Sequence, residues 1–365
     1  MFVRLAPLLK LLAAMLFALL LIDVALFRGG AYLRLIKLYS TAGSVVGAER
    51  VIKKYHDPVR KNVLVLGSSQ IGEGFSAQLA DAEAQRTDLH FVNGSIAGTT
   101  PRVWDYLLRE VDPNTDRFAA IALMVEYDPT YNWQVFENYS LDVSYTMPLL
   151  HVGDVHAFPD SFSDPLLRER ARRAILLPAQ SLHDDLRDLL VHPLQRLHEL
   201  RKVRPAWLKA VGQYAGRESS VPEFALDRAS GMPTDWGEKE SEWKPKLESY
   251  LRDLRKKAPE QTLLANLNYE RFWIGRIAQR YHAHGIPVIV FSMARGPWKA
   301  EFLSAPAPNP ALIELRDAGL ITVLPGDSFT PLEKPQFFFD TLHLNATGRE
   351  RFSKMFAAQV APLVH

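Results

Sequence analysis

There is no cysteine among the 365 residues, which excludes disulfides, thiolate metal sites and a cysteine nucleophile, and leaves either side of a membrane open. Net charge is almost absent as well. Lysine and arginine total 43 against 41 aspartates and glutamates, so no bulk field draws the chain to nucleic acid. Neither a Gly-Lys-Ser phosphate loop nor a dinucleotide fingerprint is found, and no cofactor is implied. His282 and His284 in "HAHG" lack convergent carboxylates and read as the solvent end of a helix, so no metal site is expected. Repeats and low-complexity tracts are missing too. What the chain does have is a 47% hydrophobic content, that of a globular protein with a real core.

The longest apolar run is "LLAAMLFALLLIDVALF", residues 11 to 27, broken only by Asp23 and preceded by Arg4 and Lys10. As a helix it spans roughly 25 Å, close to a bilayer's hydrocarbon thickness once Leu8 and Leu9 are added. Small residues of an A-x-A kind do not follow it, so an uncleaved anchor over residues 1–30 is expected in preference to a cleaved signal or a core helix. Arg28, Arg34 and Lys37 balance Arg4, Lys10 and the amino terminus, so charge gives no orientation. Residues 31–60 then read either as a basic amphipathic stretch along the headgroups or as a helical spacer.

From residue 61 the pattern changes. "KNVLVLGSS", "LHFVNGS", "AAIALMVEYD", "IPVIVFSMARG" and "LITVLPGDS" are apolar strand candidates ending in polar or turn residues. Helix-like segments such as "PRVWDYLLREV" and "NYERFWIGRIAQRYHAHG" alternate with them, the second closing at Gly285. Strands apolar throughout, alternating with helices, predict a parallel sheet covered on both faces, with ligands at the carboxyl ends of its strands. Residues 135–262 depart from this rhythm and predict a mostly helical insertion, in which "RERARR" reads as a solvated face.

The chemistry starts from "FFFDTLHLNATG", residues 337 to 348. Three positions separate Asp340 from His343, so the carboxylate can hold one ring nitrogen while the other serves as a base. Two serines compete for that base. Ser328 in "GDSF" is near in sequence, but "TPLEKP" follows it where a helix would be wanted. Ser69 in "VLVLGSSQIGEG" ends the first strand at a turn that can open a helix, with backbone N–H groups close to its oxygen. Placement favours Ser69, although an isolated Gly-Ser-Ser is also an ordinary cap. In "VNGSIAGTTP", Gly94 and Gly98 lie just past the second strand, where an unobstructed amide can approach a developing oxyanion. The Asn-x-Ser/Thr triplets at Asn93 and Asn345 fall inside these motifs, which argues against glycosylation there, and a third lies at Asn138.

"GSSQIGEG", "NGSIAG" and "DTLHLN" resemble, in that order, blocks one, two and five of the SGNH or GDSL-like hydrolase superfamily, over residues 62 to 360. The resemblance implies an α/β fold of the flavodoxin-like three-layer α/β/α kind. It also implies a Ser-His-Asp centre with Ser69 as nucleophile, His343 as general base, Asp340 as its orienter, and the Ser69 and Gly98 amides as oxyanion donors. Ser68 stands where the family usually has Asp. The third block should bring an Asn donor, but "LMVEYDPTYN" has Tyr127 at the aligned place and Asn132 further on; Tyr127 can donate through its hydroxyl or simply pack. An anchor followed by Gly-Ser-Ser is similar to the envelope proteins that work beside membrane-bound O-acyltransferases. That likeness implies an extracytoplasmic esterase or transferase acting on an acylated glycan or lipid-linked polymer, or else a non-catalytic accessory partner.

Overall fold

The computed structural model describes residues 5–127, 135–227, 232–255, 257–299 and 303–365. The chain divides into two compact units, Met1–Gly47 with Ser140–Leu208, and Ala48–Tyr139 with Lys209–His365. This differs from the expected boundaries. Residues 31–60 are not one juxtamembrane linker, because Tyr32, Ile36, Leu38 and Val45 are buried as core residues and a helix, Thr41–Tyr55, crosses the boundary between units. The segment 135–262 is not one insertion either. Its later part belongs with the sheet, where Trp243 and Leu247 join the main core.

In the first unit, the Leu5–Asp23 helix carries the apolar run. Among the described residues Pro7–Phe27 is the one helical stretch long and apolar enough to cross a membrane, with a mean hydropathy of 2.4 and its most apolar 18 residues unburied. Its length and composition are those of a membrane span or a signal sequence. Further along, the buried Arg196 guanidinium donates to Asp185 at 3.0 Å and to Asp188 at 2.7 Å, which satisfies a charge that would be costly to bury alone.

The second unit holds the sheet. Its strands are β1 (Lys61–Leu66), β2 (Leu89–Asn93), β3 (Ala120–Met124), β4 (Val288–Phe291) and β5 (Thr322–Val323), each within a segment anticipated as strand. All pairs are parallel and the spatial order is β2-β1-β3-β4-β5, the flavodoxin-like order. Alternate side chains of a strand face opposite ways. Val63, Val65, Phe91, Ala122 and Phe291 therefore share one core with Phe75, Phe352 and Phe356, while Leu64, Leu66, Val92, Ile121 and Leu123 are buried on the other face. The helices used below are α1 (Ser69–Gly74), α2 (Ala77–Ala84), α3 (Pro101–Val111), α4 (Glu240–Arg255), α5 (Glu260–His282), α6 (Pro310–Asp317) and α7 (Ala346–Val360). Helix α5 starts earlier than its apolar pattern suggests, then ends before Gly285, whose φ of +69° suits a helix stop.

Phe356 is fully buried, with ring centroids 4.7 Å from Phe291 and 5.3 Å from Phe75. Phe356→Ala is expected to lose about 3–5 kcal/mol through lost transfer energy plus a cavity. Urea unfolding of the variant would measure it, and an unchanged midpoint would mean that α7 is not part of the folding core.

The strand order reverses at β1, which lies between β2 and β3. A crevice therefore opens beyond the carboxyl ends of β1 and β3, with the loop after β2 on its rim.

Candidate active site

Ser68 caps α1 immediately after β1, so Ser69 is the first residue of that helix. Its Oγ lies 2.9 Å from His343 Nε2. On the other side of the ring, Nδ1 lies 2.9 Å from Asp340 Oδ2, while Asp340 Oδ1 accepts the amides of Leu342 at 2.8 Å and His343 at 2.7 Å. A hydrogen bond to the carboxylate fixes which ring nitrogen carries the proton and leaves Nε2 to accept from the serine. Burial alone would raise the Asp340 pKa, but the bonds from the His343 ring, the His343 amide and the Leu342 amide outweigh it and hold it below the ordinary value. Ser328 is turned elsewhere: its hydroxyl donates to Gln359 Oε1 at 2.8 Å.

The histidine loop is held from several directions. Phe339 stacks on the imidazole with planes 10° apart, and its amide donates to the His343 carbonyl at 3.1 Å. Asn345 caps α7 by accepting the Gly348 amide at 2.9 Å, and its own Nδ2 donates to the Gln336 carbonyl. Gly348 is required there, since a Cβ would sit 2.3 Å from the Phe337 carbonyl oxygen. The serine side is tied to the same helix. Arg349 Nη1 donates to the carbonyls of Gly72 and Glu73 at 3.0 and 2.7 Å, and the Ser76 amide donates to Ser353 Oγ at 2.8 Å. One helix thus fixes both the loop that carries His343 and the end of the helix that carries Ser69.

The loop after β2 supplies the third wall. Its backbone is tethered to β1 by the Gly94 amide on the Val65 carbonyl and the Ile96 amide on the Gly67 carbonyl. Thr99 and Thr100 are braced by Trp104 Nε1, at 2.9 Å, and the Tyr269 hydroxyl, at 2.7 Å. Gly98 turns through a φ of +72°, a left-handed conformation that glycine adopts without strain. Neither the Ser69 nor the Gly98 amide has an acceptor within the described residues, so both are open to a ligand oxygen.

Tyr127 does not join them. It is fully buried and its hydroxyl lies 2.8 Å from the Leu324 carbonyl and 2.9 Å from that of Val290, so its single proton is held by the sheet. The oxyanion role expected for Tyr127 is therefore corrected to packing, and Asn132 lies outside the described residues. Glu126 stands beside it and is exposed.

Two cavities flank the centre, and Glu126 lines both. The larger, about 710 Å³, includes Asp340, Thr341, Trp243, Tyr250 and three lysines. The smaller, about 380 Å³, includes Ser68, Gly98, Leu342 and a group of aromatic side chains around Glu270. Sequence reasoning did not find Arg349 or Glu270. Arg349 acts across 277 positions and carries no local mark, whereas Glu270 sits in the aromatic stretch "NYERFW", where a lone acid on a buried helix face is the available signal.

No protein-family model matches this chain, and no curated protein matches it. The functional reading therefore rests on the residues themselves.

Proposed function

We propose that the chain is a membrane-anchored serine acyl-transfer enzyme of SGNH type, working on O-acyl esters of an envelope glycan or lipid-linked polymer outside the cytoplasm. The observation that carries this reading is the unbroken line Asp340, His343, Ser69, with 2.9 Å at each of its two ring contacts. In it, Ser69 Oγ attacks the ester carbonyl as His343 Nε2 takes its proton. The carbonyl oxygen becomes an oxyanion facing the Ser69 and Gly98 amides. Collapse breaks the ester C–O bond, the alcohol leaves with the proton from His343, and the acyl group stays on Ser69. Water or a sugar hydroxyl then gives its proton to His343 and takes the acyl group, and His343 returns that proton to Ser69 Oγ as the acyl–serine bond breaks. The larger cavity supports an acceptor site, because Trp243 and Tyr250 line it beside Ser219, Ser220 and Ser249, whose hydroxyls can meet a sugar.

Tyr127 favours a second reading. With its hydroxyl directed into the sheet, no third-block side-chain donor is found among the described residues, as a non-catalytic partner of a membrane-bound O-acyltransferase would permit. A fluorophosphonate probe separates the two. The enzyme reading expects wild type and Ser328→Ala to label and Ser69→Ala to stay unlabelled. An unlabelled wild type supports the accessory role, and label lost only in Ser328→Ala reverses the choice of nucleophile.

A further inference from the structure

The smaller cavity is built in a way that acyl transfer alone does not require. Its walls include the rings of Trp104, Phe136, Tyr139 and Tyr269, and two carboxyl groups, Glu126 and Glu270, face it. Among the described residues no lysine, arginine or histidine lines it. Arg102, which stacks its guanidinium 5.1 Å from the Tyr269 ring centroid, is not among the lining residues. Glu270 is 4% exposed. Asn309 Nδ2 donates to its Oε2 at 2.7 Å, and Oε1 has no hydrogen-bond partner within the described residues.

A half-satisfied carboxyl in an aromatic wall is costly unless something else completes it. An anion would be repelled by both acids. A plain hydrocarbon would leave Glu270 Oε1 without a partner. A positively charged nitrogen suits the aromatic lining and the acid together, because aromatic rings attract cations and a buried carboxylate supplies the counter-charge.

We infer that this cavity binds an ammonium group, with Glu270 as its counter-ion and the Trp104, Phe136, Tyr139 and Tyr269 rings as its walls. The inference deepens the acyl-transfer reading, resting on it for the further claim that the ammonium belongs to the acyl donor, as in an aminoacyl ester. Gly98 and Ser68 line the same cavity, so the bound group lies beside the nucleophile's turn. Burial, opposed by Asn309 and reinforced by Glu126, pushes Glu270 up to about 8. An arriving cation favours the ionised form, and binding near neutral pH then releases the Glu270 proton.

The test uses the full chain in detergent micelles, carrying Ser69→Ala so that no ester is consumed. Calorimetric titration at about pH 6.5, below the usual α-amino range, compares alanine methyl ester with methyl isobutyrate. The two differ by an ammonium in place of a methyl. Alanine methyl ester should bind at least about tenfold tighter, the size of one buried charge-assisted contact. Its heat should vary with the buffer's ionisation enthalpy, reporting a released proton. Glu270→Gln, which keeps the shape and can accept from Asn309, should abolish both effects. Choline distinguishes the sources: if it binds as well as the alanine ester, an ammonium headgroup is the ligand type, and if only the alanine ester binds, an aminoacyl donor is. Equal binding of the isobutyrate, binding of neither, or an unchanged Glu270→Gln overturns the inference. Fluorophosphonate labelling of wild type reports independently on the acyl-transfer reading, so the two can fail separately.

Discussion

His343→Ala is expected to lower kcat/KM for ester cleavage by about a millionfold, and Ser69→Ala by a similar factor, because each removes the proton path from hydroxyl to imidazole. The double variant should be no worse than either single one, since residues acting as one unit are not additive. Asp340→Asn should cost less, about four decades, because the serine and the base remain while the ring loses the partner that fixes its tautomer. Steady-state kinetics with a p-nitrophenyl ester measures all three. The proposed mechanism is lost if His343→Ala retains turnover within about tenfold of wild type, a residue that the oxyanion amides alone do not account for.

Glu270→Gln is expected to stabilise the protein at alkaline pH by a few kcal/mol. Burial takes the carboxyl from an ordinary 4.5 to about 8. Below 4.5 the folded and unfolded chains both hold the proton, and between 4.5 and about 8 only the folded chain does. Wild-type stability therefore falls as pH rises through that window, at up to about 1.4 kcal/mol per unit, and levels off above it. Glutamine cannot ionise and removes this slope. Urea unfolding of both proteins at several pH values from acid to alkaline should show the gap widening, then becoming constant. A gap independent of pH would place the carboxyl in contact with water. An acid kept at the expense of alkaline stability, in a wall that glutamine would fill, is better explained by binding than by folding.

Much of the fold was legible because its signals are local. Continuous apolar runs such as "NVLVL" and "AIALM" fix strands by their length and polar ends, and a buried parallel sheet needs no alternation. Ser69 and Gly98 were marked by their places just past a strand, and Asp340 and His343 by their three-residue spacing; the structure brings Ser69, His343 and Asp340 within hydrogen-bond reach. Tyr127 was not legible. Its position after β3 suggested the crevice, but one residue decides which way a side chain leaves a strand, so Glu126 is exposed to the cavities and Tyr127 turns into the sheet. The division at residue 208 was hidden as well, because packing against distant segments, rather than composition, determines which unit a helix joins. Arg196 was hidden too: nothing local in "HPLQRLHELRKVRP" marks it, yet its guanidinium is buried between two aspartates.

The arrangement around Arg349 and Ser353 bears on how the protein would fail. Ser69 and His343 lie 274 positions apart, yet both are moored to α7. Loosening of that helix would slacken Ser69 and His343 together. Because the same helix also gives Phe352 and Phe356 to the core, loosening it would cost chemistry and stability together.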